Sequence, residues 1–346
     1  MQFGLFSHIP WPEGADQKQI LEELTEDAQL GEQLGFQGIW LAEHHFTRYG
    51  LGASSLLIAT HIAAKTTTLR LGTAVLVPPL HNPIKLAEDA STLDLLSGGR
   101  LDLGFGRGSA NYEYKGFSVS GEESQGRFQD TINAIQGLWT NSDYSFDGKY
   151  FQIHKANLVP QPLQKPHPPI YIAATRTPAT MDFVASSGHP LIVGVVLDTP
   201  GAIDLCHRFV DLSAKAGHNV PMSRIPFSRY VYVAETEEQA RADTKTALDW
   251  TLDMIQWRRT FEESSEVDHK LEDWRNTRTE LPPGFDYLYE HRGFMGTPDK
   301  VVAQIKELQQ EGIEYFFCNF AFGGMNHGKV TRSMELFAKE VMPHFS

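Results

Sequence analysis

Basic charge, cysteine and long apolar runs are all scarce in this chain of 346 residues, and each scarcity removes a class of function. Lysine and arginine number 30 against 43 aspartates and glutamates, a formal net charge of −13. No basic run offers a stripe that could neutralise phosphates, so no nucleic-acid partner is expected. The only cysteines, Cys206 and Cys318, lie far apart in neither disulfide nor metal spacing. The opening MQFGLFSHIP lacks the basic n-region and apolar core of a secretory signal. No apolar stretch approaches the roughly 20 residues that span a bilayer. These absences predict a soluble, cytoplasmic protein of a reducing compartment, with no membrane partner.

What is present is enough apolar material, 41%, to bury a large core. Strand-like and helix-like patterns alternate along the whole length. Strands are expected at 2–6, 38–42, 69–77, 100–105, 170–174, 190–196, 227–234 and 314–320, each followed by a helical pattern. The Asp-Gly pair in FDGKYF (146–151) signals a hairpin. Thr236 with Gln239 forms a capping-box signature, and Thr297 before Pro298 marks another helix start. Eight such units predict an α/β fold, a (β/α)8 TIM barrel occupying 1–346 as one domain. The polar, weakly periodic stretch 256–295 interrupts it before the eighth strand, as a lid or a subunit-contact element.

In such a barrel the chemistry gathers on loops after the strand C-termini. These loops carry Glu43-His44-His45-Phe46, then His81, then Arg107, Asn111 and Glu113, then Arg176, Thr177 and Thr180. The glycines of LDLGFGRGSANYEY (101–114) do not make a dinucleotide fingerprint. The pattern begins at Gly104 in the fourth unit, and Ser109 stands where the third glycine belongs. A glycine turn before Arg107 still suits a terminal phosphate, and TRTPAT opens a helix whose free N–H groups attract anions. The same features also describe an ordinary cap beside a surface arginine. Adjacent histidines on a strand end point to opposite sides, so one of the pair in EHHF is expected to be structural. His44 is the candidate acid/base, since imidazole titrates near neutrality. No ligand cluster with metal spacing accompanies it, so no metal is expected.

Taken as ordered blocks, GFQGIWLAEHHFTRYG, LRLGTAVLVPPLHNPIKLAEDASTLDLLSGGRLDLGFGRG, PIYIAATRTPAT, GTPDKV and ELFAKEVMPHF resemble the bacterial luciferase-like monooxygenases, flavin-dependent barrels. The resemblance runs from 3 to 344 and is weakest in 256–295. It implies reduced FMN at the barrel mouth, with Arg107, Arg176, Thr177 and Thr180 around its phosphate. It implies a non-prolyl cis bond between Ala74 and Val75 beneath the flavin ring, with Glu113 nearby, His44 as the catalytic histidine and Glu43 as an active-site carboxylate. It further implies a homodimer and a separate NAD(P)H:flavin reductase as partner. One departure stands out: luciferase α subunits carry a reactive cysteine where this chain has Gly106. That difference points away from light emission and towards a general monooxygenase.

The reading that follows is a two-component enzyme using reduced FMN and O2 to oxygenate a small organic substrate, by hydroxylation or Baeyer–Villiger attack. A deazaflavin-dependent oxidoreductase on the same barrel, a non-catalytic flavin-binding barrel and a metallohydrolase are the alternatives.

Overall fold

The computed structural model describes residues 1–175, 177–262, 265–281 and 283–345. Its strands are β1 (Gln2–Ser7), β2 (Gly38–Leu41), β3 (Arg70–Thr73), β4 (Leu101–Gly106), β5 (Tyr144–Asp147), β6 (Gln152–Ala156), β7 (Ile170–Ala173), β8 (Leu191–Ile192), β9 (Pro226–Val233), β10 (Gly293–Gly296) and β11 (Tyr315–Asn319). Nine of them form one parallel sheet in the order β10-β9-β11-β1-β2-β3-β4-β7-β8. A parallel bridge between Val193 and Phe227 brings the chain leaving β8 against β9, so the sheet is curled. β5 and β6 make the expected hairpin, apart from the main sheet.

The helices are α1 (Gln17–Leu34), α2 (Ser55–Ala63), α3 (Pro83–Leu96), α4 (Asn111–Gly116), α5 (Ser124–Thr140), α6 (Pro178–Ser187), α7 (Thr199–Lys215), α8 (Glu237–Trp257), α9 (Leu271–Thr277), α10 (Phe285–His291), α11 (Pro298–Gln310) and α12 (His327–Glu340). Their starts follow local chemistry. The Asn82 side chain accepts from the N–H of Ile84 before α3, and the Thr236 hydroxyl accepts from the N–H of Gln239 before α8. α11 begins at Pro298 directly after Thr297.

Two expectations need correction. The sheet has nine strands rather than eight, and the additional one, β10, lies inside the stretch expected to be irregular. GFMG is only four residues long with glycine at both ends, too short for a period-2 signal to emerge. Among its described residues the rest of 256–295 also holds α9 and α10, and several of its aromatic residues pack together. Trp257 stacks on Trp274 at 5.8 Å, and Leu271 joins Tyr49, Trp250 and Met254 in a small core.

Side chains of the parallel strands alternate between two apolar surroundings, which is why the strands read as nearly continuous hydrophobic runs. Leu5, Ile39 and Leu71 face Leu24, Ala28 and Ile62 of the helical layer. Phe6, Trp40, Ile192, Tyr315 and Phe317 fill the concave face, with Ala74 and Val75 resting on them. Trp40 is fully buried and its indole N–H donates to the Tyr315 hydroxyl at 3.0 Å. Gly72 exists to admit that ring, since a Cβ there would come within 2.1 Å of Trp40 Cδ2. Gly72→Ala is therefore expected to cost about 1–3 kcal/mol through overpacking. Urea unfolding checks this, and an unchanged midpoint with an unchanged slope would show that the indole can move aside.

Candidate active site

The loop after β2 turns the two histidines of EHHF in different directions. His44 keeps 17% of its side chain exposed, and its Nδ1 lies 3.4 Å from Glu113 Oε1. The same oxygen accepts the backbone N–H of His45 at 3.1 Å. Burial alone would push the Glu113 carboxyl up. The His44 ring, the charge of Arg258 and the His45 N–H outweigh it and hold the carboxyl below the usual range. An ionised carboxylate only accepts, so Nδ1 of His44 carries the hydrogen and Nε2 keeps a lone pair. Burial, then the positive charge of Arg258, lowers the His44 imidazole below its ordinary value against the pull of Glu113. The ring is thus neutral near pH 7 with its tautomer fixed, the state a proton acceptor needs. It packs edge-on to Tyr49 at 4.9 Å and parallel to His8 at 6.1 Å.

Glu43 does different work. It is 2% exposed, and its Oε1 accepts from His45 Nε2 at 2.7 Å and from His81 Nε2 at 2.8 Å. Oε2 accepts the Val77 N–H at 2.9 Å. Burial would raise this carboxyl, but the two imidazoles bring it down to about 2. Burial correspondingly lowers His81, and its bond to Glu43 more than compensates, leaving it raised. Through these bonds Glu43 ties the loops after β2 and β3 together.

A second cluster lies where β4 and β7 end. Arg107 Nη1 donates to the Ser124 hydroxyl at 2.9 Å, and Nη2 lies 3.4 Å from the Thr177 hydroxyl. The Tyr114 hydroxyl donates to the Arg107 carbonyl at 2.6 Å, fixing the loop from which the guanidinium projects. Thr177 precedes α6 and its hydroxyl caps nothing there. Thr180 donates to Gln125 Oε1 at 2.7 Å, while the buried Gln125 Nε2 has no partner. Arg176, expected in the same group, lies outside the described residues. The Ala74–Val75 peptide is cis. Val75 accounts for Gly106, because a Cβ there would stand 2.4 Å from the Val75 Cγ2 methyl. The space a cysteine would use is filled by Val75.

This geometry, an arginine–threonine cluster past β4 and β7 and a tautomer-fixed histidine past β2, can be set beside known proteins. The luciferase-like monooxygenase family matches residues 1–315. The chain belongs to that family. The oxygenase component of the flavin-dependent trigonelline monooxygenase from Acinetobacter baylyi is 29% identical over 100% of this chain and 96% of its own length. The structure of monooxygenase RslO1 from Streptomyces bottropensis superimposes with a TM-score of 0.87 at 27% identity, covering 100% of both chains. The oxygenating constituent of 3,6-diketocamphane monooxygenase from Pseudomonas putida, a type II Baeyer–Villiger enzyme in complex with FMN, shares the fold. Its TM-score is 0.81 at 19% identity, over 99% of this chain and 98% of that one.

Within this luciferase-like monooxygenase several residues near His44 carried no sequence signal. His8, just past β1, contacts the Tyr49 hydroxyl through Nε2 at 3.2 Å and faces Asn319 Nδ2 at 3.3 Å through Nδ1. Burial, then His44 and Arg258, hold it well below its ordinary value. Arg258 lies over the Tyr49 ring at 4.4 Å. Glu266, fully buried, accepts from the Thr47 hydroxyl and the Arg48 N–H, each at 2.5 Å, pinning the stretch after α8 onto the EHHF loop. His8 was findable by extending the strand-end rule to β1. Arg258 and Glu266 sit in the stretch that resembles its family least. Among the described residues no group of three His, Cys, Asp or Glu side chains could hold a metal ion. Both cysteines are buried free thiols, and no described helix is long and apolar enough to cross a membrane.

Proposed function

We propose that this flavin-dependent monooxygenase is the oxygenase half of a two-component system. It takes reduced FMN from a separate NAD(P)H:flavin reductase and uses O2 to oxygenate a small organic substrate by hydroxylation or Baeyer–Villiger transfer. The observation that carries this reading is the neutral, Glu113-bound His44 placed on the same mouth as the Arg107–Thr177–Thr180 cradle.

A flavin phosphate suits that cradle on two counts. The Thr177 hydroxyl leaves the α6 N-terminus uncapped, and the unpartnered Gln125 Nε2 beside Thr180 is a buried donor without an acceptor. Arg107 adds a fork of donors suited to phosphate oxygens. Reduced FMN, when bound, supplies the electrons that activate O2. The chain's own part is to hold the phosphate, to floor the ring site with Val75 and Gly106, and to accept a proton at His44 Nε2. The stretch 256–295, pinned through Glu266, serves as a lid that excludes water.

Anaerobic titration with reduced FMN, followed by rapid mixing with O2 while flavin absorbance is recorded, tests the reading. Tight binding and a transient absorbance distinct from both free flavin states are expected. Binding without O2 chemistry would indicate a flavin-binding barrel. Preference for a deazaflavin, with turnover in the absence of O2, would replace oxygenation by hydride transfer. Arg107→Ala should raise the Kd for FMN about 10–100-fold and remove its preference over riboflavin. A preference that survives in the variant moves the phosphate elsewhere.

A further inference from the structure

The aromatic ring that packs on His44 carries a hydrogen-bond donor with nothing to donate to. Tyr49 is 7% exposed, lies edge-on to His44 at 4.9 Å, and has the Arg258 guanidinium 4.4 Å over its face. It also lines a cavity of about 190 Å³, whose walls include Asn111, Val195, Ile255, Arg258 and Phe261. The cavity therefore adjoins the candidate proton acceptor. Burial raises the phenol above its ordinary value against the pull of Arg258, so the hydroxyl keeps its hydrogen near pH 7. Two further side chains decide where that hydrogen points.

Asn319, fully buried at the end of β11, donates from Nδ2 to His8 Nδ1 at 3.3 Å. The reversed amide would bury an NH2 group with no acceptor, whereas this orientation leaves only the oxygen Oδ1 without a partner, the smaller cost. Burial, then His44 and Arg258, hold His8 well below its ordinary value, so the ring is neutral and carries one hydrogen. With Nδ1 accepting, that hydrogen sits on Nε2 and is donated to the Tyr49 oxygen at 3.2 Å. An oxygen that accepts from His8 turns its own hydrogen elsewhere. Among the described residues no acceptor receives it. The Tyr230 hydroxyl, which feels the charge of Tyr49, is itself buried without a partner and is not the acceptor. A donor left over at a cavity wall marks a place for an acceptor that enters from outside.

We propose that the Tyr49 hydroxyl donates to a neutral carbonyl oxygen of the substrate in this cavity, and that His8 and Asn319 are positioning residues that aim it. The proposal rests on the monooxygenase reading in taking the substrate to lie beside His44. A carbonyl oxygen accepts through its lone pairs and brings no hydrogen of its own, which is what a lone donor requires. Arg258 on the ring face draws electron density from the phenol and makes it a stronger donor. Val195, Ile255 and Phe261 offer apolar surface to the rest of a compact molecule. The carbonyl groups of the flavin ring are the other acceptors within the same reading, and the experiment separates the two.

Cyclohexanone bound to the FMN-loaded protein, followed by calorimetry and by the infrared carbonyl stretch, is the test. The stretch should lie at lower frequency in the parent than in Tyr49→Phe, and the variant should bind the ketone about 3–10-fold more weakly. The lost frequency shift reports the hydrogen bond itself, which a merely structural change of the pocket would not remove. His8→Leu keeps the hydroxyl but not its aim, so part of the shift should disappear, and His8→Gln, with an amide donor, should restore it. The His8 pair carries the same test should Tyr49→Phe fail to fold. Equal frequency and affinity in parent and Tyr49→Phe, or no binding of cyclohexanone to the parent, overturns the proposal. FMN affinity that falls in Tyr49→Phe while the ketone stretch stays put also overturns it, assigning the hydroxyl to the flavin. If FMN fails to bind while the shift persists with the ketone alone, the flavin reading falls and the donor stands.

Discussion

Replacing His44 with alanine is expected to leave reduced-FMN affinity unchanged and to lower product formation by about 10²–10⁴-fold. The two effects separate because the proposed phosphate cradle of Arg107, Thr177 and Thr180 shares no hydrogen bond with the imidazole. What the variant loses is a neutral base whose Nδ1 hydrogen is fixed towards Glu113 and whose Nε2 lone pair remains for the reaction. The pH dependence carries the signature. Burial and Arg258 lower the imidazole, so the active, neutral form persists below the ordinary histidine value and is lost only as the pH falls through the lowered one. The parent should show that acid limb, and His44→Ala should be flat across it. Glu113→Gln gives the intermediate case. Without the carboxylate the ring loses its tautomer control and the main influence raising its basicity, so the limb should move to still lower pH. Product formation in His44→Ala equal to the parent would remove the imidazole from the mechanism.

The residues legible in the sequence were those whose roles follow from local pattern. His44, Arg107 and Thr177 each come directly after an apolar strand, where parallel α/β folds expose polar groups. The Thr236 cap and the Thr297–Pro298 pair announced their helices because the chemistry of a helix start is local. α4 escaped notice because it is one and a half turns long and Ala110 gives it no side-chain cap, yet it carries Glu113. β10 escaped for similar reasons. Partnerships across long sequence distances leave no local trace at all. Glu43 meets His81 38 positions on, and Glu266 meets Thr47 219 positions back, and neither contact has a period or a spacing to read. The polar character of 256–295 suggested irregular chain; most of its described charges are indeed exposed, but Glu266 faces inward to Thr47 and Arg48. Polarity there reflects a buried contact as well as solvent.

Glu43→Gln is expected to have the largest effect on stability, about 3–5 kcal/mol, because it leaves His45 and His81 facing a neutral amide in a buried setting. The amide oxygen can still accept one of the three bonds now made to His45, His81 and the Val77 N–H, but its nitrogen is a donor set against donors. The pH profile of unfolding distinguishes this from simple loss of packing. The carboxyl falls from 4.5 to about 2 on folding, so its contribution is complete above the unfolded value and is lost as the pH drops from 4.5 towards 2. His81 is raised, so its contribution is complete below the unfolded value of about 6.5 and fades as the pH rises through the raised one. The parent should therefore be most stable between those two limits. In Glu43→Gln both slopes should flatten together, since each group owes its shift to the other. A variant that is less stable by the same amount at every pH would mean that the carboxylate fills space without holding the His81 imidazole in charge. Loss of the acid slope alone would assign the pairing to His45, leaving His81 to be held by its other neighbours.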